Sequence, residues 1–588
     1  MPRRRPARAI MMKKTIIYDR TFWILLLVCV LTTIPFLGLA DFNTKGEPRE
    51  AVVALSMLDS GNWILPTNTG GEMPYKPPFF HWCIAAFSYI LGGHVTEFTS
   101  RLPSAVALIA MTMMTFVFFR RRSDINTALL TSLVAFTTFE LHRAGSNCRV
   151  DMMLTFLTVG ALFMLFRRCE KGLRGVPVGA ILFMSLATLT KGPVGTLIPC
   201  LVTGIYLLLR GENFFRTFLT LTFWGLLSLI LPLLWYYAAW QQGGQEFLDL
   251  VMEENFGRMT STMSYDSCVN PWYYNFGVLL SGFLPWTLLG VMSLFVLHYR
   301  RMHIGPVTMW PTRLRRTIRD AQPVALFAAT AALTVFIFYC FPQSKRSVYL
   351  MPMYPFAAYW FVRYMIYLSR DRQGFIKAYG DVLATLSVLV FVAFIAIKTG
   401  LVPDGVFGSG RHAAENVAMM HSVGDISGVG AWLMLLMTPA AAAFWWAGAR
   451  RHVRHEGLLY CLAGVTMAIY LALSGAYQPA VLNAKSVKAE AAAIDRVAPS
   501  SEGELYEFIS AGEFAAGDPV HYFEINFYLG DRVSGFYRRR PAAGFLITGD
   551  SDAREYFPKF EAEGYKFEEV YMLPSYRPEH TRVYRFSR

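Results

Sequence analysis

The chain is 588 residues long, and 54% of its residues are hydrophobic while only 16% are charged. This composition excludes an ordinary soluble domain and is typical of a protein that crosses a membrane several times. The formal net charge of +14 does not indicate a nucleic-acid-binding protein, because most basic residues lie in short segments between apolar runs.

Thirteen apolar segments have the length expected of membrane-spanning helices. They lie at residues 22–40, 102–119, 126–141, 150–166, 177–190, 193–209, 217–240, 274–298, 323–341, 348–368, 380–398, 428–449 and 457–475. Another apolar run, at 79–93, is interpreted as a short element beside the membrane. With thirteen crossings, most basic clusters fall on the N-terminal side, which the positive-inside rule makes cytoplasmic. The C-terminus is then predicted to lie outside the cytoplasm.

The first outer connection, residues 41–101, is longer than most loops between membrane helices, which indicates a function. After Pro48, apolar residues spaced for one helical face predict an amphipathic helix that ends at Gly61 and lies on the membrane surface. Residues 1–475 are predicted to be one transmembrane domain. Residues 476–588 are polar and are predicted to form a small α/β domain.

The outer face would carry ionisable residues at helix ends in several separate connections, a pattern that indicates a site. These residues are Glu47, Arg49, Glu50, Lys76, Arg149, Asp151, Lys191, Arg258, Lys345 and Arg346. A carboxylate opposed by several cations suits a reaction in which the acid handles a hydroxyl proton while the cations hold an anionic leaving group. The membrane setting makes a polyprenyl phosphate the expected anion.

Seven motifs carry a resemblance to a known family. In chain order they are GEPREAVVALSMLDSGNW, MPYKPPFFHW, TSRLPSAVALIA, CRVDMMLTF, LTKGPVG, NPWYYN with GFLPW, and SKRSVYLMPMYP. Over roughly residues 20–365 the chain resembles the membrane glycosyltransferases related to protein O-mannosyltransferases, especially the bacterial aminoarabinose transferases of lipid A. The resemblance implies a type C glycosyltransferase fold in a bacterial inner membrane with a periplasmic C-terminal domain. It also implies inverting transfer of a sugar from undecaprenyl phosphate to a periplasmic acceptor such as lipid A.

The resemblance also implies roles for individual residues. Glu47 matches the acidic residue of the first outer connection and is the first choice for the catalytic base, although Gly46 precedes it where relatives often have Asp. A helix cap is the alternative role for Glu47. Asp151 matches the acidic residue of the second outer connection. It is the other candidate base, or a group that orients the acceptor or pairs with Arg149.

The implied phosphate-binding cations include Lys76, which matches the lysine of the family's KPP motif. The others are Lys191, Arg258, Lys345 and Arg346, and further candidates for the site are Arg49, Glu50, Tyr75, Arg149 and Tyr349. The alternative for these cations is contact with lipid headgroups.

One departure from the family concerns metal binding. Some aminoarabinose transferases have a Glu before the KPP lysine and a His in the long outer loop, and these residues can hold a metal ion. Here Tyr75 stands at the first position and residues 241–273 contain no His. No metal or other cofactor is therefore expected.

Two other functions remain open from the sequence. One is transfer of mannose or another sugar to a protein or glycan by the same chemistry. The other is a transporter or flippase for a lipid-linked molecule, although the internal repeat that is frequent in transporters is not visible here.

Overall fold

The structure is a computed structural model that describes residues 19–44, 46–74, 76–254, 269–297, 310–410, 412–508, 522–576 and 580–588. The α-helices before residue 345 are α1 Arg20–Thr33, α2 Gly46–Ser60, α3 Phe79–Ile90, α4 Glu97–Arg120, α5 Ile125–Phe136, α6 Phe139–Gly145, α7 Val150–Cys169, α8 Val178–Lys191, α9 Val194–Leu209, α10 Phe214–Met252, α11 Tyr274–Gly282, α12 Trp286–Ser293, α13 Trp310–Asp320 and α14 Pro323–Cys340. They are followed by α15 Tyr354–Asp371, α16 Gln373–Lys398, α17 Ala413–Gly424, α18 Val429–Phe444, α19 Arg450–His452, α20 Glu456–Ala472, α21 Gln478–Asn483 and α22 Lys488–Val497.

Helical structure lies at each of the thirteen apolar segments. Within the described residues, seven helices are long and apolar enough to cross a membrane, or eight if one bent pair is counted as a span. The prediction of a multi-pass membrane protein is therefore confirmed, whereas the count of thirteen crossings stays a prediction. The run at 79–93 forms the short apolar helix α3.

Two predicted segments differ in the structure. The single span expected at 274–298 is two helices, α11 and α12, bent by 105° with respect to each other. Pro285 lies between them, and proline cannot donate the backbone hydrogen bond that a continuous helix requires. The loop expected from residue 241 is helical as far as Met252, after a kink at Gly244. Phe247 is buried there and packs edge-to-face on Trp235, which explains why the helix resumes.

The described residues divide into two compact units. Unit 1 comprises Met1–Leu37, Ser104–Leu233 and Pro271–Val481, and its interior is filled by bulky side chains such as Phe116, Phe166, Trp286, Tyr379 and Trp445. Helices α8 and α9 approach closely at Gly195, where an added Cβ would lie 2.4 Å from the backbone of Ala187 and Thr188.

Unit 2 comprises Gly38–Pro103, Leu234–Asn270 and Leu482–Arg588, so the first outer connection and the C-terminal region belong to the same compact unit. The elements of the C-terminal region after α22 are β1 Leu505–Glu507, α23 Phe523–Tyr528, β2 Val533–Gly535, α24 Phe536–Arg539, β3 Ala543–Gly549, α25 Asp550–Glu561, β4 Lys566–Tyr576 and β5 His580–Ser587. The predicted α/β character of residues 476–588 is confirmed, and the boundary at 476 stays a prediction.

The five strands form one mixed sheet in the order β2-β1-β3-β5-β4. Strand β1 pairs in parallel with β2 and β3, and β5 pairs antiparallel with β3 and β4. Buried residues form two hydrophobic clusters, one around Ile494 and Val583 and the other around Phe508 and Phe536.

The C-terminal region holds residues 62–76 of the first outer connection through polar contacts within unit 2. Asp531 Oδ1 accepts hydrogen bonds from the backbone N–H of Thr69 and from Asn526 Nδ2, each at 2.8 Å. Gly70 packs so closely on Ser534 that an added Cβ would lie 2.9 Å from its Cα. These contacts fix the middle of the segment that ends at Lys76.

Candidate active site

Glu47 lies in the first turn of α2, where a negative charge stabilises a helix N-terminus. Both of its carboxylate oxygens accept hydrogen bonds from Arg101, over 2.9 Å from Nε and 3.1 Å from Nη2. Arg101 Nη1 also donates to the carbonyl of Ala40. Because both side chains are buried, this two-bond ion pair ties α2 firmly to the beginning of α4.

Glu50 is the carboxylate that contacts Lys76. Its Oε1 forms ion pairs with Lys76 Nζ and, over 3.2 Å, with Arg49 Nη2. Its Oε2 lies 2.9 Å from Nε2 of His81, a buried residue of α3. Lys76 and Arg49 keep 15% and 29% of their side chains exposed, so a further anion can reach both cations.

The protonation of Glu50 follows from these neighbours. Burial by itself raises the pKa of this carboxyl, but Lys76, the hydrogen bond with His81 and Arg49 together lower it more. The net result is a pKa well below the usual range, so Glu50 is ionised at neutral pH. It therefore holds Lys76 in position and is a poor proton acceptor.

Asp151 and Lys191 form an ion pair in unit 1. Asp151 lies in the first turn of α7, and Lys191 is the last residue of α8, where Gly192 ends the helix at a φ of 83°. The two helices pack against each other, which brings both ends together. Lys191 Nζ also lies 4.4 Å from the centre of the Tyr349 ring, a cation–π distance.

The remaining described candidates, Arg149, Lys345 and Arg346, belong to unit 1. Arg149 precedes α7, and its backbone bonds with the hydroxyl of Ser104; the ion-pair partner shown for Asp151 is Lys191 rather than Arg149. Lys345 is buried and Arg346 half-buried, directly before the 3₁₀ turn Ser347–Met353 that carries Tyr349. Tyr75 and Arg258 are outside the described residues.

Three buried polar residues of these clusters are absent from the sequence prediction: His81, Arg101 and Glu140. Glu140 Oε1 accepts hydrogen bonds from Arg143 Nη2 at 2.6 Å and from Ser347 Oγ at 2.9 Å. A charged or polar residue inside or at the end of an apolar segment is the signal that could have identified all three.

The candidate site also bears on metal binding. Over the described ranges, no three His, Cys, Asp or Glu residues are grouped closely enough to hold a metal ion. The expectation of no cofactor stays a prediction.

Comparison with known proteins identifies the fold. Residues 75–237 match the family described as dolichyl-phosphate-mannose-protein mannosyltransferase. The crystal structure of ArnT from Cupriavidus metallidurans bound to undecaprenyl phosphate covers 96% of this chain and 98% of its own, with a TM-score of 0.65 and 18% identity. The chain therefore has the fold of this ArnT structure. The resemblance and the fold class predicted from the sequence are thereby confirmed.

Several proteins of known sequence are similar to part of this chain. The undecaprenyl phosphate-alpha-4-amino-4-deoxy-L-arabinose arabinosyl transferase of Shewanella sediminis is 27% identical over 330 residues, which are 54% of this chain and 54% of that protein. Its counterpart from Proteus mirabilis is 23% identical over 58% of this chain and 60% of that protein. An uncharacterized protein of Aquifex aeolicus is 26% identical over 56% of this chain and 61% of its own length. The chain thus spans between a half and two thirds of the length of these three relatives.

Proposed function

We propose that this protein transfers a sugar from undecaprenyl phosphate to an acceptor hydroxyl at the outer face of a bacterial inner membrane. The observation that carries the proposal is Lys76 of the KPP motif, which Glu50 holds beside Arg49 while part of both cationic side chains stays exposed. The likeness to a structure bound to undecaprenyl phosphate supports a lipid-linked phosphate as the anion that this cluster meets.

The reaction is a single displacement with inversion. The acceptor oxygen forms a bond to the anomeric carbon while the bond between that carbon and the phosphate oxygen breaks, and the hydroxyl proton passes to a carboxylate. We assign the proton to Asp151, because both oxygens of Glu47 are occupied by Arg101 in a buried ion pair. Glu47, the first choice from the sequence, then has a structural role.

The cations act on the leaving group. A polyprenyl phosphate departs more easily when its developing negative charge is neutralised, so placing cations correctly lowers the barrier. Lys76 and Lys191 are each held by a carboxylate and are the strongest candidates. Arg258, Lys345 and Arg346 remain further candidates for the same task.

The names of the relatives support 4-amino-4-deoxy-L-arabinose as the sugar and lipid A as the first acceptor to test. A second candidate is transfer of mannose to a protein, which the family match over residues 75–237 favours. Both use the same displacement and differ only in the donor and acceptor pockets.

Mass spectrometry of lipid A from matched cells with and without the active chain separates these candidates. A pentosamine on lipid A that disappears with Lys76→Ala supports the first candidate. If lipid A is unchanged while purified protein still releases undecaprenyl phosphate from a lipid-linked sugar, the acceptor is a protein or a glycan. If no lipid-linked sugar is consumed, the proposal is wrong.

Lys76→Ala is expected to lower the turnover of a polyprenyl-phosphate sugar on the order of 10²-fold, because it removes a positioned charge from the transition state. The measurement is release of polyprenyl phosphate by purified protein in detergent. Lys566→Ala, which removes an exposed lysine of β4, is the matched control and should keep full activity. Full activity of Lys76→Ala would remove this lysine from the mechanism.

A further inference from the structure

A cavity of about 380 Å³ lies in unit 1, where the end of α7 meets the beginning of α8. Its wall has a basic part, formed by Arg167, Arg168 and Lys171, and an apolar part that includes Met164 and Val178. The wall is therefore amphiphilic, with positive charge beside hydrocarbon.

This cavity and the Asp151–Lys191 pair lie at opposite ends of the α7–α8 hairpin. Asp151 and Arg167 are both on α7 and sixteen residues apart, which corresponds to roughly 24 Å along a helix axis. Helix α7 is long and apolar enough to cross a membrane, so its two ends belong to opposite membrane faces. The cavity is thus separate from the proposed reaction site and, by the charge distribution, faces the cytoplasm.

The basic side chains of the cavity differ in their partners. Arg168 donates to the carbonyls of Arg174 and Val176 and so stabilises the turn between the two helices. The side chains of Arg167 and Lys171 make neither an ion pair nor a hydrogen bond with the part of the chain that the structure describes. Among the described residues, the positive charges of Arg167 and Lys171 therefore have no carboxylate bound to them.

The acid nearest to this cluster is already occupied. Glu170 accepts two hydrogen bonds from Arg122, at 2.9 and 2.6 Å. Burial and repulsion from Arg167 and Arg122 lower the pKa of Arg121, which shows that cations are crowded here. A crowded set of cations is stabilised when an anion binds among them.

We propose that the cavity binds the phosphate headgroup of an anionic phospholipid of the inner leaflet. Arg167 and Lys171 bind the phosphate, while Met164 and the 70%-exposed Val178 contact the upper part of an acyl chain. The apolar wall favours a lipid over a free phosphate ion, because a free ion gains nothing from hydrocarbon. The site would be a lipid contact at the membrane face opposite to the sugar transfer.

Native mass spectrometry of the delipidated full-length protein tests this site. The protein is titrated with phosphatidylglycerol, with phosphatidylcholine as the uncharged comparison, and binding is measured for wild type and for Arg167→Gln with Lys171→Gln. The double variant is expected to lose the tightest phosphatidylglycerol site, with affinity reduced roughly 30-fold for two removed charges. Arg168 is kept, because its substitution would disturb the turn.

Arg451→Gln with Arg454→Gln is the matched control, since both arginines are exposed and lie in another basic segment of the same predicted face. This control should keep the tight site. Equal loss in both double variants, or equal binding in wild type and the cavity variant, would overturn the proposal. Complete displacement of the lipid by inorganic phosphate would also overturn it, because the ligand would then be the free ion. An unchanged thermal unfolding curve of each variant shows that folding is intact.

Discussion

Asp151 is the residue on which the assignment of the base can be tested. Asp151→Asn keeps the size of the side chain but cannot accept the hydroxyl proton, so turnover should fall on the order of 10²-fold or more while donor binding persists. The measurement is the rate of polyprenyl phosphate release together with the affinity for the lipid-linked donor. A variant that binds the donor and still turns over at the wild-type rate would exclude Asp151 as the base.

Glu47→Gln serves as the comparison for Asp151→Asn. Because Glu47 is paired with Arg101 in the interior, its loss leaves a buried guanidinium with weakened bonds and should lower stability more than catalysis in the folded fraction. If the Glu47→Gln protein has the stability of the wild type but has lost turnover, Glu47 rather than Asp151 is the base.

The lowered pKa of Glu50 predicts that the stability of the protein depends on pH. Its pKa in the folded protein lies well below the ordinary value of 4.5, so its ionised form stabilises the fold above that pH, and the stabilisation is lost as the pH falls towards the folded pKa. Glu50→Gln should therefore lower the free energy of unfolding by roughly 3 kcal/mol at pH 7 and by progressively less below about pH 4.5.

Denaturant unfolding in detergent at pH 7 and at about pH 4 measures this difference. Glu563→Gln, which breaks an exposed pair with Arg540, is the control and should change stability little at either pH. A constant difference between wild type and Glu50→Gln across this range would show that Glu50 is not ionised in the fold.

At the level of elements, the segment of residues 62–76 depends on its contacts with the C-terminal region. Gly70 has a φ of 74°, and its backbone lies against Ser534, so a methyl group there both strains the backbone and displaces β2. Gly70→Ala should speed hydrogen exchange of residues 62–76 roughly tenfold, the equivalent of about 1.4 kcal/mol. Mass spectrometry of exchanging peptides from this segment measures the effect.

Gly61 offers a matched control for Gly70. Its φ of 68° is as unfavourable for a residue with a side chain as the φ of Gly70. No atom, however, lies within 4 Å of a Cβ added at Gly61. Gly61→Ala should therefore show only the effect of backbone strain. Equal exchange in the two variants would mean that the contact with Ser534 contributes nothing to the position of the segment.

At the level of the whole molecule, the testable property is the membrane topology. With thirteen crossings, the C-terminal domain lies outside the cytoplasm and the basic segment around Arg451 lies inside. In a chain without its native cysteines, Lys566→Cys should react with a membrane-impermeant thiol reagent in cells with an opened outer membrane. Arg451→Cys should react only after the inner membrane is permeabilised. The reverse pattern would require an odd number of crossings between a cytoplasmic N-terminus and residue 451.

Several properties follow from the sequence alone because they depend on local composition and spacing. Apolar runs locate the helices, and alternating residues near 505, 545, 570 and 584 locate strands of the terminal sheet. The ordered motifs predict the type C fold that the structure has. The bend between α11 and α12 and the helical part of residues 241–252 were missed, because one depends on a single proline and the other on packing of Phe247.

The pairing of charged residues was decided only by the tertiary structure. Glu47 and Glu50 are three positions apart on α2, yet one meets Arg101 and the other meets Lys76 and His81. Asp151 and Lys191 are forty residues apart and meet because two helices pack antiparallel. Sequence spacing determines which face of a helix a carboxylate occupies, but the cation that it meets is contributed by another element. Only the packing of those elements could therefore distinguish a structural carboxylate from one that positions a lysine or accepts a proton.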